Sequence, residues 1–467
     1  MKIFVVTIGY PPNEIGGTET YVADLVRVLH DWGHEAEIGY IRQEPGPGSI
    51  AVCREVRKGT RVHVVRVPRP PYQLEFLAFD DALRERLISE LSEIVERVAP
   101  DVVHVHPLQI GFESYLMQRV HAEGRPVVWT YHTATASCAR GDLLRFGARV
   151  CDGGIMQRRC SACLMHRKGM PRLFALAANV LPVRTYRQLY RTFDALRLRR
   201  FRSFASLPLL IAERRAAWKR AIDACDCVVA VSEWVRDVLR RNGVPDEKVL
   251  LSRHGRTGGT PAPAFRPGAR TRFGYLGRIY PGKGIDVLLA ALREVGGEAR
   301  FDLEIAAPAS VAEDAGQAAL LQQVRTLAEQ DSRVRLRHVE PAAVFALLST
   351  WDALIVPSTA METGPQVVLE AFLARTPVIG SRRGGIAELV QDGETGFLFE
   401  PGSSAELAGL LRSFAIDPTP LRALRGRIPA VRGADEVARD MLAVYERLRI
   451  GRTARAVDQA AAEACCV

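Results

Sequence analysis

Apolar residues recur along this chain in two alternating patterns. Short runs rich in Val, Ile and Leu, such as residues 3–8, have the length and composition of buried strands. The stretches between these runs place apolar residues at helical spacing. One example is residues 18–32, which Gly33 follows as a helix-ending residue. In the first half, the pattern predicts strands at residues 3–8, 35–41, 62–67, 101–106, 126–132 and 227–232 and helices at residues 18–32, 80–98 and 233–241. This alternation indicates parallel sheets covered by helices.

A second series of strands and helices follows residues 256–270, which are rich in Gly and Pro. It predicts strands at residues 272–277, 301–307, 334–337, 353–356 and 377–380, with helices beginning at Gly284, Val311, Ala342, Pro365 and Ser403. We therefore expect an α/β protein with two Rossmann-like, doubly wound parallel-sheet domains that face a central cleft. The predicted boundaries are an N-terminal domain at 1–255, a linker at 256–270, a C-terminal domain at 271–434, a final helix at 435–450 and a mobile tail at 451–467.

Composition narrows the class of protein without naming a function. A chain of 467 residues with 48% hydrophobic and 25% charged residues is large enough for two or three domain cores. Residues 1–7 predict a strand and not a signal peptide, and no apolar stretch reaches the roughly 18 residues that span a bilayer. We therefore expect a cytoplasmic protein whose nine cysteines are mostly reduced or metal-bound. The net charge of +10 is compatible with binding to nucleic acid, anionic lipid or phosphorylated ligands, and equally with a composition that is simply rich in arginine.

Two glutamates lie on either side of a predicted helix start. Glu362 precedes Gly364 and Pro365, and proline suits the first turn of a helix. Glu362 then lies in the loop before the helix, and Glu370 lies about one and a half turns inside it. Because a predicted strand comes directly before this loop, both carboxylates are expected in a ligand site at the carboxyl end of a strand.

Two cations lie in a second loop of the same kind. Gly277-Arg278 ends a predicted strand and Lys283-Gly284 opens a helix, so side-chain charge and the N–H groups of the helix start favour a diphosphate. Residues 277–284 nearly match a P-loop, but Gly284 stands where Ser or Thr would hold magnesium. The prediction is diphosphate binding without that metal ligand, and a basic turn with solvated charges is the alternative.

Two glycine pairs also follow predicted strands. At Gly384-Gly385 and at Gly16-Gly17 the backbone can approach a ligand closely where a helix begins. Ordinary strand-to-helix turns are the alternative, and neither pair forms a dinucleotide-binding G-x-G-x-x-G.

Histidines end two of the predicted N-domain strands. His132 ends the strand at 126–132 and is expected to face the domain cleft, with a capping or packing role as the alternative. His104 and His106 alternate on the strand at 101–106 and are interpreted as structural.

Together these motifs resemble glycosyltransferase family 4, whose members are retaining nucleotide-sugar transferases of the GT-B fold. The resemblance covers about residues 2–445. The residues that carry it are Gly16, Gly17, Thr18, Glu19, His132, Gly277, Arg278, Lys283, Gly284, Glu362, Glu370, Gly384, Gly385 and Glu388. One departure is His254-Gly255, where the family often has Asn-Gly.

The resemblance implies a role for each charged position. Arg278 and Lys283 would hold the donor diphosphate and stabilise the leaving nucleotide, with no catalytic divalent metal. Glu362 would bind hydroxyls of the transferred hexose, and Glu370 would bind the ribose hydroxyls of the nucleotide. His132 would lie near the reacting face of the donor sugar.

The resemblance also implies a function. Gly384 and Gly385 would lie near the sugar and phosphates, and Gly16 and Gly17 would cover the diphosphate or the acceptor. The chain would move a hexose from a nucleotide-diphosphate sugar to a saccharide or polyprenyl-linked acceptor in polysaccharide or glycoconjugate synthesis, with no nucleic-acid partner. The alternatives are a P-loop-like NTPase, disfavoured by Gly284, and a non-catalytic sugar-nucleotide-binding protein.

Four cysteines fall within residues 133–170, after His132: Cys138, Cys151, Cys160 and Cys163. The last two have the spacing of a metal knuckle, and two further thiols would complete a tetrahedral zinc site. Because the segment is rich in glycine and poor in apolar residues, a structural zinc would supply energy for its folding. Disulfides, an iron–sulfur cluster and unconnected thiols are the alternatives. A similar insertion occurs in a subset of family 4, and we expect it to shape acceptor recognition.

Residues 184–222 combine many arginines with interleaved Leu and Phe, and Pro208 is expected to split them into two helices. A basic amphipathic helix suggests contact with anionic lipid or with a polyprenyl-diphosphate-linked acceptor, and hence a peripheral position on the inner face of a membrane. A solvated face on helices packed against the domain is the alternative.

Overall fold

The chain forms two compact units. The computed structural model describes residues 1–12, 16–44, 50–68, 81–108, 112–179, 181–258, 264–307 and 315–464. Unit 1 comprises Met1–Arg253 with Ala434–Val467, and unit 2 comprises His254–Gly433. The beginning and the end of the chain therefore belong to the same unit.

Unit 1 is built on a mostly parallel sheet. Its strands are β1 (Lys2–Val6), β2 (Glu35–Glu44), β3 (Ala51–Arg57), β4 (Thr60–Pro68), β5 (Val102–Val105), β6 (Val127–Tyr131), β7 (Leu144–Arg145), β8 (Arg149–Val150), β9 (Cys227–Ala230) and β10 (Val249–Leu251). Eight of them form a sheet in the order β10-β9-β6-β5-β1-β2-β4-β3, in which only the β3–β4 pair is antiparallel, and β7 and β8 form a separate small hairpin.

Helices cover both faces of this sheet. Those before unit 2 are α1 (Gly17–Asp31), α2 (Asp81–Val98), α3 (Phe112–Ala122), α4 (Gln157–Arg167), α5 (Arg172–Ala178), α6 (Val183–Ala195), α7 (Arg199–Ala224) and α8 (Glu233–Arg241). Because side chains alternate along a strand, β1 sends Ile3 and Val5 into one core and Phe4 and Val6 into the other. A strand buried on both faces appears in the sequence as a continuous apolar run, which is why the pattern predicted it.

The basic segment, residues 184–222, forms two helices, as predicted. The prediction that Pro208 separates them is wrong. Helix α7 continues through Pro208, and the break between the two helices follows the end of α6 at Ala195, where Arg197 has a left-handed φ of 55°. The Leu198 N–H donates to the Phe193 carbonyl there, and this six-to-one bond closes the helix end. The carbonyl of Pro208 accepts a hydrogen bond from the Gln157 amide, which fastens α7 to α4.

Unit 2 has a fully parallel sheet. Its strands are β11 (Thr271–Leu276), β12 (Phe301–Ala307), β13 (Val334–His338), β14 (Ala353–Val356), β15 (Val378–Ser381) and β16 (Gly396–Phe399). Its helices are α9 (Ile285–Val295), α10 (Ala315–Gln330), α11 (Val344–Thr350), α12 (Gln366–Leu373), α13 (Gly384–Leu389), α14 (Ser404–Ile416) and α15 (Thr419–Leu424). The strand order β13-β12-β11-β14-β15-β16 reverses direction between β11 and β14. Ligands of open α/β sheets bind at the carboxyl ends of the strands at such a switch point.

The last helix, α16 (Ala434–Ala464), belongs to unit 1. It buries Val437, Met441, Val444 and Tyr445 in the same core as Ile3 and Val5. The segment expected to be a mobile tail continues this helix as far as Ala464. In the part of the chain that the structure describes, no helix is both long and apolar enough to cross a bilayer.

Candidate active site

Lys283 and Glu362 meet at the switch point of unit 2. Lys283 lies in the loop after β11 and Glu362 in the loop after β14, and their Nζ and Oε1 atoms are 2.6 Å apart. The Ser358 hydroxyl donates to the same carboxylate oxygen over 2.9 Å. Burial acts to lower the pKa of Lys283, but the neighbouring Glu362 carboxylate outweighs it, and the pKa is raised. The ammonium therefore stays protonated at neutral pH, directly before the N-terminus of α9.

Backbone hydrogen bonds hold the two loops together. The N–H groups of Thr359 and Ala360 both donate to the Gly282 carbonyl over 3.2 Å, and the Thr359 hydroxyl donates to the Pro281 carbonyl. These bonds fix Lys283 relative to Glu362 although the two residues lie 79 positions apart in the chain. Arg278, the second predicted cation of the first loop, is exposed, and its guanidinium lies 5.5 Å from the centre of the Tyr280 ring.

Gly284 excludes a side chain at the position where a P-loop carries its magnesium ligand. Its φ of 69° is left-handed, and an added Cβ would lie 1.8 Å from the Pro357 carbonyl oxygen. Neither Ser nor Thr fits there without displacing the backbone of the loop after β14. The NTPase alternative therefore conflicts with the geometry as well as with the sequence.

The glycine pair after β15 completes the same corner of unit 2. The Gly385 N–H donates to the Glu362 carbonyl over 2.7 Å. A Cβ on Gly385 would lie within 3 Å of the carbonyl oxygens of Glu362 and Thr363. Gly384, with a left-handed φ of 52°, begins α13. The structure thus brings Lys283, Glu362, Gly384 and Gly385 together, as the sequence predicts.

Glu370 already has a cationic partner in this structure. It lies on α12, and its Oε1 accepts hydrogen bonds from the Arg256 guanidinium, whose Nε lies 3.2 Å away. Both side chains are less than one-fifth exposed. The Arg256 N–H also donates to the Arg432 carbonyl, so Arg256 is held from two sides. Sequence patterns assigned Arg256 to a linker and missed this role, since nothing local to residues 256–270 points to α12.

His254, which departs from the family pattern, contacts the start of α12. Its Nδ1 atom lies 3.1 Å from the Gly364 carbonyl oxygen and 3.1 Å from the Gln366 amide nitrogen. An added Cβ on Gly364 would lie 2.3 Å from that ring nitrogen, so the glycine is required by the close approach. Burial lowers the pKa of His254 to about 4, and the ring is neutral at pH 7.

His132 and the first glycine pair belong to unit 1. His132 is buried, and its Nε2 lies 2.7 Å from Nδ1 of His106, while the Tyr21 ring packs edge-on against it at 4.6 Å. His106 was interpreted as structural; the structure makes it the direct partner of His132. Gly16 is the N-cap of α1 and Gly17 its first residue, so the predicted helix start after β1 is present.

The predicted zinc site is not supported. Cys138, Cys151, Cys160 and Cys163 line one small cavity. Their donor atoms are not gathered, and no three His, Cys, Asp or Glu side chains among the described residues are arranged to hold a metal ion. Three of the thiols are directed at neighbouring oxygens instead: Cys151 at Asp152, Cys160 at the Gly154 carbonyl and Cys163 at the Leu144 carbonyl. Burial raises the pKa of these three thiols, which keeps them protonated at neutral pH.

The disulfide alternative also fails. Each of the seven cysteines that the structure describes is a free thiol. The cysteine segment instead rests on a small apolar cluster that α4–α7 share, which includes Met165, Tyr186 and Ile211. This cluster buries apolar side chains and so stabilises the segment, which is the role that zinc was expected to have.

In comparisons with known sequences, two family models match consecutive parts of the chain. A family model described as Glycosyltransferase Family 4 matches residues 15–255, and one described as Glycosyl transferases group 1 matches residues 270–417. A glycogen synthase of Mycobacterium tuberculosis is 31% identical over 432 residues, which cover 90% of this chain and 87% of that protein. D-inositol 3-phosphate glycosyltransferase 1 of Catenulispora acidiphila is 32% identical over 205 residues, 39% of this chain and about half (48%) of its own length.

Solved structures share the fold at low sequence identity. Sucrose-phosphate synthase from Thermosynechococcus elongatus has a TM-score of 0.65 at 17% identity, covering 96% of this chain and 99% of its own. Alr3699/HepE of Anabaena, solved in complex with UDP and glucose, has a TM-score of 0.57 at 16% identity, covering 96% and 100%.

Proposed function

The chain belongs to glycosyltransferase family 4, and from this premise we propose that it transfers a hexose with retention from a nucleotide-diphosphate sugar to a saccharide or lipid-linked acceptor. Glycosyltransferase activity follows from the family, and the proposal concerns the donor class, the acceptor class and the stereochemistry. The complex of Alr3699/HepE with UDP and glucose supports a nucleotide-sugar donor. The relative named glycogen synthase supports a saccharide acceptor.

The proposal rests on the Lys283–Glu362 pair at the switch point of unit 2. A fixed ammonium beside the N–H groups of a helix start is a site for a diphosphate. Arg278 is exposed on the same loop and adds a second positive charge. When the donor binds, its phosphate oxygens would take the place of the Glu362 carboxylate beside Lys283, which frees Glu362 to accept hydrogen bonds from sugar hydroxyls.

The reaction needs stabilisation of a developing negative charge. The bond between the anomeric carbon and the diphosphate oxygen breaks, and its electron pair leaves with the nucleoside diphosphate. The acceptor hydroxyl oxygen bonds to the anomeric carbon on the same face, and its proton passes to the departing phosphate oxygen. Lys283 and Arg278 would stabilise the phosphate charge in the transition state, which is electrostatic catalysis by fixed cations.

The remaining site residues keep the roles that the family implies, as part of this proposal. Glu370 binds the ribose hydroxyls. Gly384 and Gly385 lie beside the sugar and phosphates. The family resemblance assigns Gly16 and Gly17 of unit 1 to the diphosphate or the acceptor, and His132 to the reacting sugar.

A donor panel tests the class of substrate. Purified protein is incubated with UDP-, GDP- and ADP-hexoses, and both thermal stabilisation and release of nucleoside diphosphate are measured. One of these donors should stabilise the protein and release nucleoside diphosphate. With a saccharide acceptor added, NMR of the glycoside product should show the anomeric configuration of the donor. An inverted product rejects retention, and silence toward every nucleotide sugar rejects the donor class.

Lys283→Ala tests the cation. We expect turnover to fall by roughly 2–4 kcal/mol of activation free energy, or about 30- to 1000-fold. Lys219→Ala is a matched control, because Lys219 is an exposed lysine of α7 that pairs with a neighbour on its own helix, Asp223. Equal turnover in Lys283→Ala and Lys219→Ala would refute the assignment.

A further inference from the structure

Exposed apolar side chains are concentrated on α5, α6 and the start of α7. Thirteen large apolar residues are exposed in the described part of the chain, and seven of them lie between positions 173 and 201. They are Leu173, Phe174, Leu176, Leu181, Leu196, Leu198 and Phe201. Isolated exposed apolar residues are ordinary, but a concentration of this kind marks an interaction surface.

The same stretch carries a dense positive charge. Residues 171–202 contain eight arginines and a single acidic residue, Asp194. Asp194 is paired with Arg202, so it does not offset the exposed arginines. Arg184, Arg187 and Arg191 recur at helical spacing on the exposed side of α6.

Helix α6 has one side packed against the protein and one exposed, basic side. Its Tyr186 packs into the small cluster of α4–α7, with Val183, Leu189 and Tyr190 beside it. The opposite side exposes the three arginines. Leu181 lies just before the helix and Leu196 just after it, so apolar side chains lie at both ends of a helix about 20 Å long.

We propose that this basic–apolar surface, formed by α5, α6 and the α6–α7 turn, docks on the headgroup region of an anionic lipid bilayer. Arginines meet the lipid phosphates, and the exposed leucines and phenylalanines enter the boundary between headgroups and acyl chains. A nucleic acid would satisfy the arginines alone; side chains such as Leu173, 80% exposed, contribute nothing to phosphate contacts. The combination of charge and apolar area selects the bilayer.

Vesicle flotation of the full chain tests the proposal. We expect the protein to float with vesicles of phosphatidylcholine containing 30% phosphatidylglycerol, and to stay in solution with phosphatidylcholine alone. High salt should weaken the binding, because it screens the arginines. Binding to neither vesicle, equal binding to both, or retention on a nucleic-acid oligomer in preference to anionic vesicles would overturn the proposal.

Two variants separate the charge from the apolar contribution. Since an arginine at an anionic surface contributes about fivefold in binding, Arg184→Gln, Arg187→Gln and Arg191→Gln together should weaken partitioning on the order of 100-fold. The control exchanges three exposed arginines elsewhere, Arg86, Arg97 and Arg325, for Gln. An equal loss in the control would show that net charge alone acts, and would overturn the assignment to this surface.

The second variant removes three of the most exposed apolar side chains by Leu173→Ser, Phe174→Ser and Leu196→Ser. Binding should weaken at least tenfold while thermal unfolding and donor hydrolysis without vesicles stay unchanged, because none of the three side chains is buried. Unchanged partitioning would refute insertion. Since donor hydrolysis in solution is measured separately, failure of the membrane proposal does not touch the proposed reaction.

Discussion

Both glutamates of the candidate site are paired with cations. Glu362 pairs with Lys283 at 2.6 Å, and Glu370 pairs with Arg256 at 3.2 Å. Both pairs are mostly buried, with no side chain more than 25% exposed, and losing one partner of such a pair would leave an uncompensated charge. A donor that brings two phosphates and many hydroxyls would offer these charged groups new partners in place of the pairs.

The Arg256–Glu370 pair predicts a coupled effect on donor binding. If Glu370 binds ribose and Arg256 orients it, Glu370→Ala and Arg256→Met should each raise the Kd for the nucleoside diphosphate about tenfold, with smaller effects on kcat. The double variant should lose little more than either single one, because both changes remove the same contact. Calorimetric titration of the three variants measures this. Additive losses would mean that the two side chains act independently.

At the scale of elements, the loops after β11 and β14 are packed together because Gly284 lies directly against Pro357. The left-handed φ of Gly284 and the 1.8 Å approach of an added Cβ to the Pro357 oxygen make this position specific to glycine. This contact joins the start of α9 to the loop after β14, which presents Glu362. Packing of these two loops is thus as much a part of the site as its charges.

Gly284→Ala should destabilise unit 2 and disturb the site. A left-handed alanine costs about 1–2 kcal/mol, and displacing the Pro357 carbonyl adds a further cost of about 1–3 kcal/mol. Gly402→Ala is the matched control, because Gly402 also has a positive φ, 86°, but nothing within 4 Å of an added Cβ. Chemical denaturation measures both variants. Equal losses of unfolding free energy would show that the clash with Pro357 is relieved without cost.

The sequence allowed prediction of these elements where burial dominates. The two Rossmann-like domains of the GT-B type are confirmed, because strands buried on both faces form unbroken apolar runs. The edge strand β3 was missed, since the adjacent Arg54 and Glu55 interrupt its apolar residues and it pairs only with β4, antiparallel, at the edge of the described sheet. The end of α6 was missed because an arginine, not a glycine, takes the left-handed position.

Within the site, local motifs were predictable and distant pairs were not. Lys283, Glu362 and the Gly384-Gly385 turn follow from residue type and from position after a strand. Arg256 as the partner of Glu370, and His106 as the partner of His132, depend on contacts between residues 114 and 26 positions apart. No pattern within one segment reports such contacts. The zinc prediction is not supported for a related reason, since cysteine spacing does not fix where the thiols point.

At the scale of the whole molecule, each unit buries a histidine that cannot ionise freely. Burial lowers the pKa of His104 in unit 1 to about 3 and that of His254 in unit 2 to about 4. The His104 ring forms two hydrogen bonds, from Nδ1 with the Tyr445 hydroxyl of α16 at 2.6 Å and from Nε2 with the Thr130 hydroxyl at 2.7 Å. Both rings are therefore neutral parts of hydrogen-bonded cores at pH 7.

These histidines predict loss of stability in acid. In the unfolded chain they gain protons near pH 6.5, but in the folded chain only near pH 3–4. Their stabilising effect is complete above pH 6.5 and is lost as the pH falls toward the folded values. Each histidine should lower the free energy of unfolding of its unit by about 2 kcal/mol when the pH falls from 7 to 5. Denaturant unfolding at both pH values measures this, and His254→Asn should flatten the dependence in unit 2 alone. A stability independent of pH in this range contradicts the prediction.

Truncation tests the place of α16. A chain ending at residue 433 should lose the cooperative unfolding of unit 1, because six buried apolar residues leave its core, including Met441 and Tyr445, which are fully buried. A chain ending at residue 450 keeps all six and should unfold like the full chain to within about 1 kcal/mol. Circular dichroism during denaturation distinguishes them. An intact transition in the shorter chain would show that α16 is dispensable.

The return of the chain to unit 1 through α16 has a consequence for its synthesis. All strands and helices of unit 2 leave the ribosome before α16 does, so unit 2 can complete its core first. The core of unit 1 that contains Ile3 and Val5 is lined by α1 but stays incomplete until α16 is made, although Met1–Arg253 is translated before unit 2. Throughout the translation of unit 2, the apolar side chains that α16 covers in the folded protein therefore lack that cover.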